Sequence, residues 1–148
     1  MGGIMSGIIE RIRVYPEKGA PGTEVSEGRL IENRGLEGDF HATGGERQIS
    51  LLFTEILDQL KDAKEKGLCF SRFRENITVR GIGAITHNER LAAGDAVLEL
   101  SGENKHCHEE CPLFQAGKRC PLSGASLFAK VLKGGVIRAG DSITRVLP

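Results

Sequence analysis

Apolar and polar positions alternate along Ile8, Ile9, Glu10, Arg11, Ile12, Arg13, Val14 and Tyr15. That is the two-residue period of a half-buried strand, and Pro16 ends it. Glu24 to Glu32 reads as a second short strand. Arg47 to Phe53 reads as a buried one, Asn76 to Arg80 as another. From Thr54 the period changes to that of a helix. Thr54 is a suitable N-cap, Glu55 and Asp58 fall in the first turn, and Ile56, Leu57, Leu60 and Ala63 form one apolar stripe. Lys61, Lys64 and Lys66 come late, and Gly67 closes the segment. Leu91 to Val97 is echoed by Ile137 to Ile143, each a Gly-Asp turn followed by an alternating strand, Val97 to Leu100 and Ile143 to Val146. Ser126 to Lys133 fits a short helix closed by Gly134 and Gly135. No linker or low-complexity tract interrupts the pattern. The reading is a single domain over residues 1–148 with its core at about 8–146, mostly β with a few helices.

Composition sharpens this picture. Twenty glycines against five prolines and no tryptophan suit a rolled sheet or barrel with many tight turns. Gly35, Gly38, Gly44 and Gly45 crowd around Asp39 and His41, as in a loop whose backbone approaches something closely. Basic and acidic residues balance to a formal net charge of zero, so no global field draws nucleic acid or an anionic membrane. No apolar run approaches the roughly 20 residues of a membrane span. The N-terminal residues lack the pattern of a signal peptide, so a cytoplasmic protein with reduced thiols is expected.

The four cysteines divide into two kinds. Cys69, between Leu68 and Phe70, reads as core. Cys107, Cys111 and Cys120 lie among polar neighbours with His106 and His108, Lys105, Lys118 and Arg119. A thiolate is both nucleophile and metal ligand, and nearby cations favour it; Glu109 and Glu110 act against it. Two chemistries remain open. Cys107, Cys111 and Cys120 with one histidine would make a ligand set that zinc accepts, although C-x3-C-x8-C is not a familiar zinc-finger spacing. Alternatively one thiolate bears a persulfide and a neighbouring cysteine resolves it. Buried, inert thiols are the plain alternative.

A second group comprises Asp39, His41, Arg47, Arg72, Arg74, Glu75 and Asn76. Arg47 opens one strand while Arg72 and Arg74 precede another, so the three guanidinium groups could gather at one barrel end around a phosphate or oxyanion. Equally, Arg47 could pair with Asp39, and Glu75 with Arg72 or Arg74, as structural bridges. His87, between Thr86 and Asn88, reads as surface.

Gly35-Leu36-Glu37-Gly38-Asp39-Phe40-His41, Arg47-Gln48-Ile49-Ser50-Leu51-Leu52 and Arg74-Glu75-Asn76-Ile77-Thr78 resemble successive motifs of the MOSC family, named for the C-terminal domain of molybdenum cofactor sulfurase. Gly94-Asp95, Cys107, Ala129-Lys130-Val131-Leu132, Gly134-Gly135 and Gly140-Asp141 follow in the same order, so the resemblance runs from about Ile8 to Val146. It implies a MOSC-type β-barrel and a functional cysteine that receives sulfur as a persulfide and passes it to a metal centre. In relatives with molybdenum activity that cysteine contacts the molybdenum of the pterin cofactor. Cys107 is the matching position, although His106 stands where proline commonly precedes the cysteine. Cys111 and Cys120 look like those of a small stand-alone subgroup.

On this resemblance a cysteine desulfurase-type donor would load Cys107. His106, His108, Cys111 and Cys120 would assist, and the molybdenum cofactor or a molybdoenzyme would accept the sulfur. Arg47, Arg72, Arg74 and Asn76 would position the anionic pterin phosphate or a molybdate-like oxyanion, while Asp39 and His41 order the rim or relay a proton. The chain has no counterpart of the fused enzymes' pyridoxal-phosphate desulfurase domain, so no covalently bound pyridoxal phosphate is expected. The alternative is a non-catalytic module that binds a metal or molybdopterin, with Cys107, Cys111 and Cys120 as permanent ligands.

Overall fold

Alternation along the chain becomes alternation across a closed sheet. The computed structural model describes residues 6–45, 48–54, 75–82, 89–104 and 126–146. Their regular structure is β1 (Ser6–Val14), β2 (Thr23–Val25), β3 (Glu27–Ile31), β4 (Gly35–Leu36), β5 (Ile49–Phe53), β6 (Ile77–Arg80), β7 (Arg90–Ala93), β8 (Ala96–Asn104), β9 (Ser126–Lys133), β10 (Gly135–Arg138) and β11 (Ser142–Val146).

The strand order β11-β7-β8-β9-β5-β6-β1 closes on itself because β1 also pairs with β11, and β2 hangs from the far half of β1. Closure removes the unpaired edges that an open sheet would expose. All described neighbours in the ring run antiparallel except β5 and β6, which pair in parallel at Leu51 and Ile77. Ile9, Ile12, Ile49, Leu51, Ile77, Val79, Leu91, Leu98, Leu100, Ala129, Val131 and Ile143 point inward and are almost wholly buried.

A second sheet, β10-β3-β4, joins this core. Leu30, Leu36 and Ile137 from its three strands belong to the same buried cluster as the barrel residues. At about 25 cal/mol per Å² of buried apolar surface, each such side chain stabilises the joint by roughly 1.5–3 kcal/mol. The two sheets therefore fold as one unit.

Two sequence expectations change. Ser126 to Lys133 is a strand, not a helix. Its apolar run is compatible with either form, but β5 pairs along one side and β8 along the other, and this pairing overrides local preference. Gly134 and Gly135 consequently mark the passage from the barrel to the small sheet. A Cβ at Gly134 would stand 2.7 Å from the Leu30 carbonyl oxygen. Glu24 to Glu32 is two strands broken at Ser26, one in each sheet. Past Thr54, the expected helix to Gly67 lies outside the described residues. The Gly-Asp turns hold: Gly94 and Gly140 both have positive φ, 57° and 97°. Among the described residues, no helix is long and apolar enough to cross a membrane.

Candidate functional site

Strand direction assigns Asp39 and Asn76 to one end of the barrel. β1 finishes where β5 and β6 begin, and the small sheet packs at this same end. Asp39 lies just beyond β4 in the glycine-rich loop, Asn76 immediately before β6, and Tyr15 immediately after β1. Turns hold the loop in place: Asp39 N donates to Leu36 O at 3.0 Å and Ala42 N to Asp39 O at 3.1 Å. Gly35, at φ 140°, brings the loop so close to β5 that a Cβ would meet Gln48 O at 2.6 Å.

The Asp39 side chain is fully buried, 0% exposed, and both of its oxygens are occupied. Oδ1 accepts from Tyr15 N at 2.7 Å and from Asn76 Nδ2 at 2.9 Å. Oδ2 accepts from His41 N at 2.9 Å and from His41 Nδ1 at 2.7 Å. A carboxylate has about four acceptor positions, so this one is saturated. Burial alone would raise its pKa. The hydrogen bonds from the His41 ring, Tyr15 N and His41 N outweigh that cost and hold it below the ordinary aspartate value.

Asn76 is similarly engaged. Its Nδ2 gives one hydrogen to Asp39 and the other to Arg13 O at 3.1 Å, while Oδ1 accepts from Ser50 N at 3.0 Å. Its backbone bonds to the same two strands, with Asn76 N donating to Ser50 O at 2.8 Å and Arg13 N donating to Asn76 O at 2.8 Å. One residue therefore ties β1, β5 and the glycine loop together. Neither Asn76 nor Asp39 has a spare hydrogen for a ligand.

His41 differs from both. A carboxylate can only accept, so Nδ1 carries the hydrogen of its bond to Asp39. Nε2 has no hydrogen-bond partner among the described residues. The ring lies against Phe40, with centroids 3.9 Å apart, and its side chain keeps 18% exposure.

Arg47, Arg72 and Arg74 lie outside the described residues. Gln48, next to Arg47, donates from Nε2 to Gly45 O at 2.9 Å and accepts from Val131 N at 3.0 Å on Oε1. Glu75 meets Arg13 at 3.4 Å and Arg11 at 3.7 Å, while its expected pairing with Arg72 or Arg74 lies outside the described residues. The polar alternation of β1 carried that signal, but nothing local to Glu75 pointed to it. Tyr15 and Gln48 were likewise missed, because their part is played through backbone groups and buried amides.

Cys107, Cys111, Cys120, His106 and His108 also lie outside the described residues, as do Cys69 and His87. Their segment, residues 105–125, leaves the C-terminal end of β8 and enters the N-terminal end of β9, both at the barrel end opposite Asn76. Polar side chains link β1 to β5 and β6 toward that end: the buried Thr54 donates to Glu10 at 2.9 Å, and Arg80 donates to the other Glu10 oxygen. The hydrogen bond from Arg80 holds the Glu10 carboxyl below its ordinary pKa. No group of three or more histidine, cysteine or acidic side chains able to hold a metal occurs among the described residues.

Comparison with known proteins settles the family. The family model described as MOSC domain matches residues 37–144. The chain belongs to the MOSC domain family. Its members are associated with molybdenum cofactor-related proteins. Among solved structures, YuaD protein from Bacillus subtilis superposes with a TM-score of 0.70 at 18% identity, over 97% of this chain and 98% of that one. YiiM from Geobacillus stearothermophilus gives 0.67 at 19% identity, over 95% of this chain and 75% of that one. YiiM from Escherichia coli gives 0.62 at 17%, over 97% and 71%. At these identities the likeness establishes the MOSC fold alone. No curated protein matches the sequence.

Proposed function

We propose that this MOSC protein is a sulfur carrier or small sulfurtransferase of molybdenum cofactor metabolism, with Cys107 as the sulfur-bearing residue. Family membership together with the position of Cys107, three residues beyond β8, carries the reading. In the loading step the Cys107 thiolate attacks the outer sulfur of a persulfide on a cysteine desulfurase. The donor's S–S bond breaks, the donor cysteine leaves as a thiolate, and Cys107 becomes the persulfide. Lys105 and His106 beside it favour the thiolate that this step requires. Cys111 and Cys120 are the resolving thiols, or help hold the product.

Arg47, Arg72 and Arg74 hold an anionic group of the acceptor, a pterin phosphate or a molybdate-like oxyanion. Guanidinium groups suit that task through paired hydrogen bonds. The saturation of Asp39 and Asn76 supports giving these two a different part from the one their residue types suggest: they tie the glycine-rich loop to β1 and β5. Sulfur loading and anion holding fall to different residues, so the two are separable by substitution. A Cys107→Ser variant should lose persulfide loading by a desulfurase and keep its anion affinity. An Arg74→Gln variant should do the reverse. Undiminished loading of Cys107→Ser would overturn the assignment. A stoichiometric metal lost on changing any of Cys107, Cys111 or Cys120 would turn the reading to a metal-binding module.

A further inference from the structure

We propose that the outer face of the barrel binds one buried, ordered water between Arg11 Nε and the Thr78 hydroxyl, beside a bulge in β1. This water site is independent of Cys107 and of any anion.

Arg11 and Thr78 are register partners across β1 and β6, so their side chains leave the same face of the sheet. The register slips between Ile9 and Arg11, and at such a bulge the ladder is interrupted and the strand bends. Thr78 is 2% exposed. Its Oγ1 is buried and has no hydrogen-bond partner among the described residues, and the same holds for Arg11 Nε. Folded chains leave few buried polar atoms unpaired, so two of them on facing residues point to a partner that they share.

The surrounding charges decide what that partner is. Arg11 Nη2 lies 3.7 Å from Glu75 Oε1, and Arg13 Nη1 lies 3.4 Å from the same oxygen. Arg11 Nε is 4.0 Å from Glu24 Oε1, too far for a direct hydrogen bond but a spacing that one water bridges. Two guanidinium groups and two carboxylates therefore gather here. An anion would meet the repulsion of Glu24 and Glu75, and a cation that of Arg11 and Arg13. A neutral molecule meets neither. Water also satisfies the donors and acceptors: it accepts from Arg11 Nε–H and donates one hydrogen to Thr78 Oγ1 and the other to Glu24 Oε1. Three hydrogen bonds are the usual complement of a buried water. Arg11 is then held through Nη2 by Glu75 and through Nε by the water. Glu75 directly precedes Asn76, so the water supports the residue that ties β1, β5 and the glycine loop together.

The test is high-resolution crystallography of the full chain, joined to hydrogen exchange of Arg11 Nε–H followed by nitrogen-15 NMR. A single water should stand within hydrogen-bond distance of both Arg11 Nε and Thr78 Oγ1, and Thr78→Ser should retain it. Thr78→Val keeps the branched shape and removes the hydroxyl. It should lose the water and speed Arg11 Nε–H exchange by roughly fivefold, the worth of one hydrogen bond. A direct bond from Arg11 Nε to Thr78 Oγ1, with no water between them, overturns the proposal. So does unchanged exchange in Thr78→Val, which leaves Thr78 a plain unpaired hydroxyl. Bromide bound at this spot in bromide-soaked crystals overturns it in favour of an anion site.

Discussion

Asp39 shows how much one buried side chain can organise. Replacing it by alanine strands three backbone or amide hydrogens and frees the imidazole, so Asp39→Ala should cost roughly 3–5 kcal/mol in urea unfolding. The carboxylate also sets a pH dependence. Its folded pKa lies below the unfolded value, so its stabilisation is complete above the ordinary aspartate range. That stabilisation is lost as pH falls through the depressed folded value. Unfolding free energies measured from neutral to acid should fall across that window, and the fall should be shallower in Asp39→Asn. Asn76→Asp would set a second carboxylate 2.9 Å from the first. It should destabilise the protein by at least about 3 kcal/mol at neutral pH and recover partly on acidification, when one proton is shared. Sequence reading picked out Asp39, His41 and Asn76 from their glycine-rich and strand-edge settings. It could not see that two of them face each other. That pairing joins residues 37 positions apart and follows from strand closure, not from any local pattern.

At the level of elements, the strands with clear alternation were legible, and β1, β5, β6, β8 and β11 stand close to their expected positions. β9 was not, because its eight residues, five of them apolar and followed by Gly134-Gly135, suit both periods, and only its two flanking partners decide. The break at Ser26 was hidden for a similar reason: β2 and β3 follow each other directly but enter different sheets. Gly35 is the element-scale test. Its positive φ of 140° and the 2.6 Å approach to Gln48 O leave no room for a methyl group. Gly35→Ala should therefore lower stability by about 2 kcal/mol or more and displace the loop bearing His41, seen as altered amide shifts for residues 36–45.

At the level of the molecule, the closed barrel and the small sheet share one core, so a lesion in either should be felt by both. Ile137→Ala, in the small sheet, should cost roughly 2–5 kcal/mol while unfolding stays a single transition. Independent melting of the two sheets would contradict the shared core. In the same architecture β8 ends and β9 begins at one end of the barrel while β5 and β6 begin at the other, a separation invisible in the sequence, where the strands simply follow in order. The central claim is that Cys107 carries sulfur. The most direct measurement is native mass spectrometry of anaerobically purified protein before and after incubation with a cysteine desulfurase and cysteine. The account predicts a gain of one sulfur atom that maps to Cys107, is removed by a mild reductant and does not form in Cys107→Ser. A tightly held metal or pterin with no sulfur adduct would contradict it and make Cys107 a ligand.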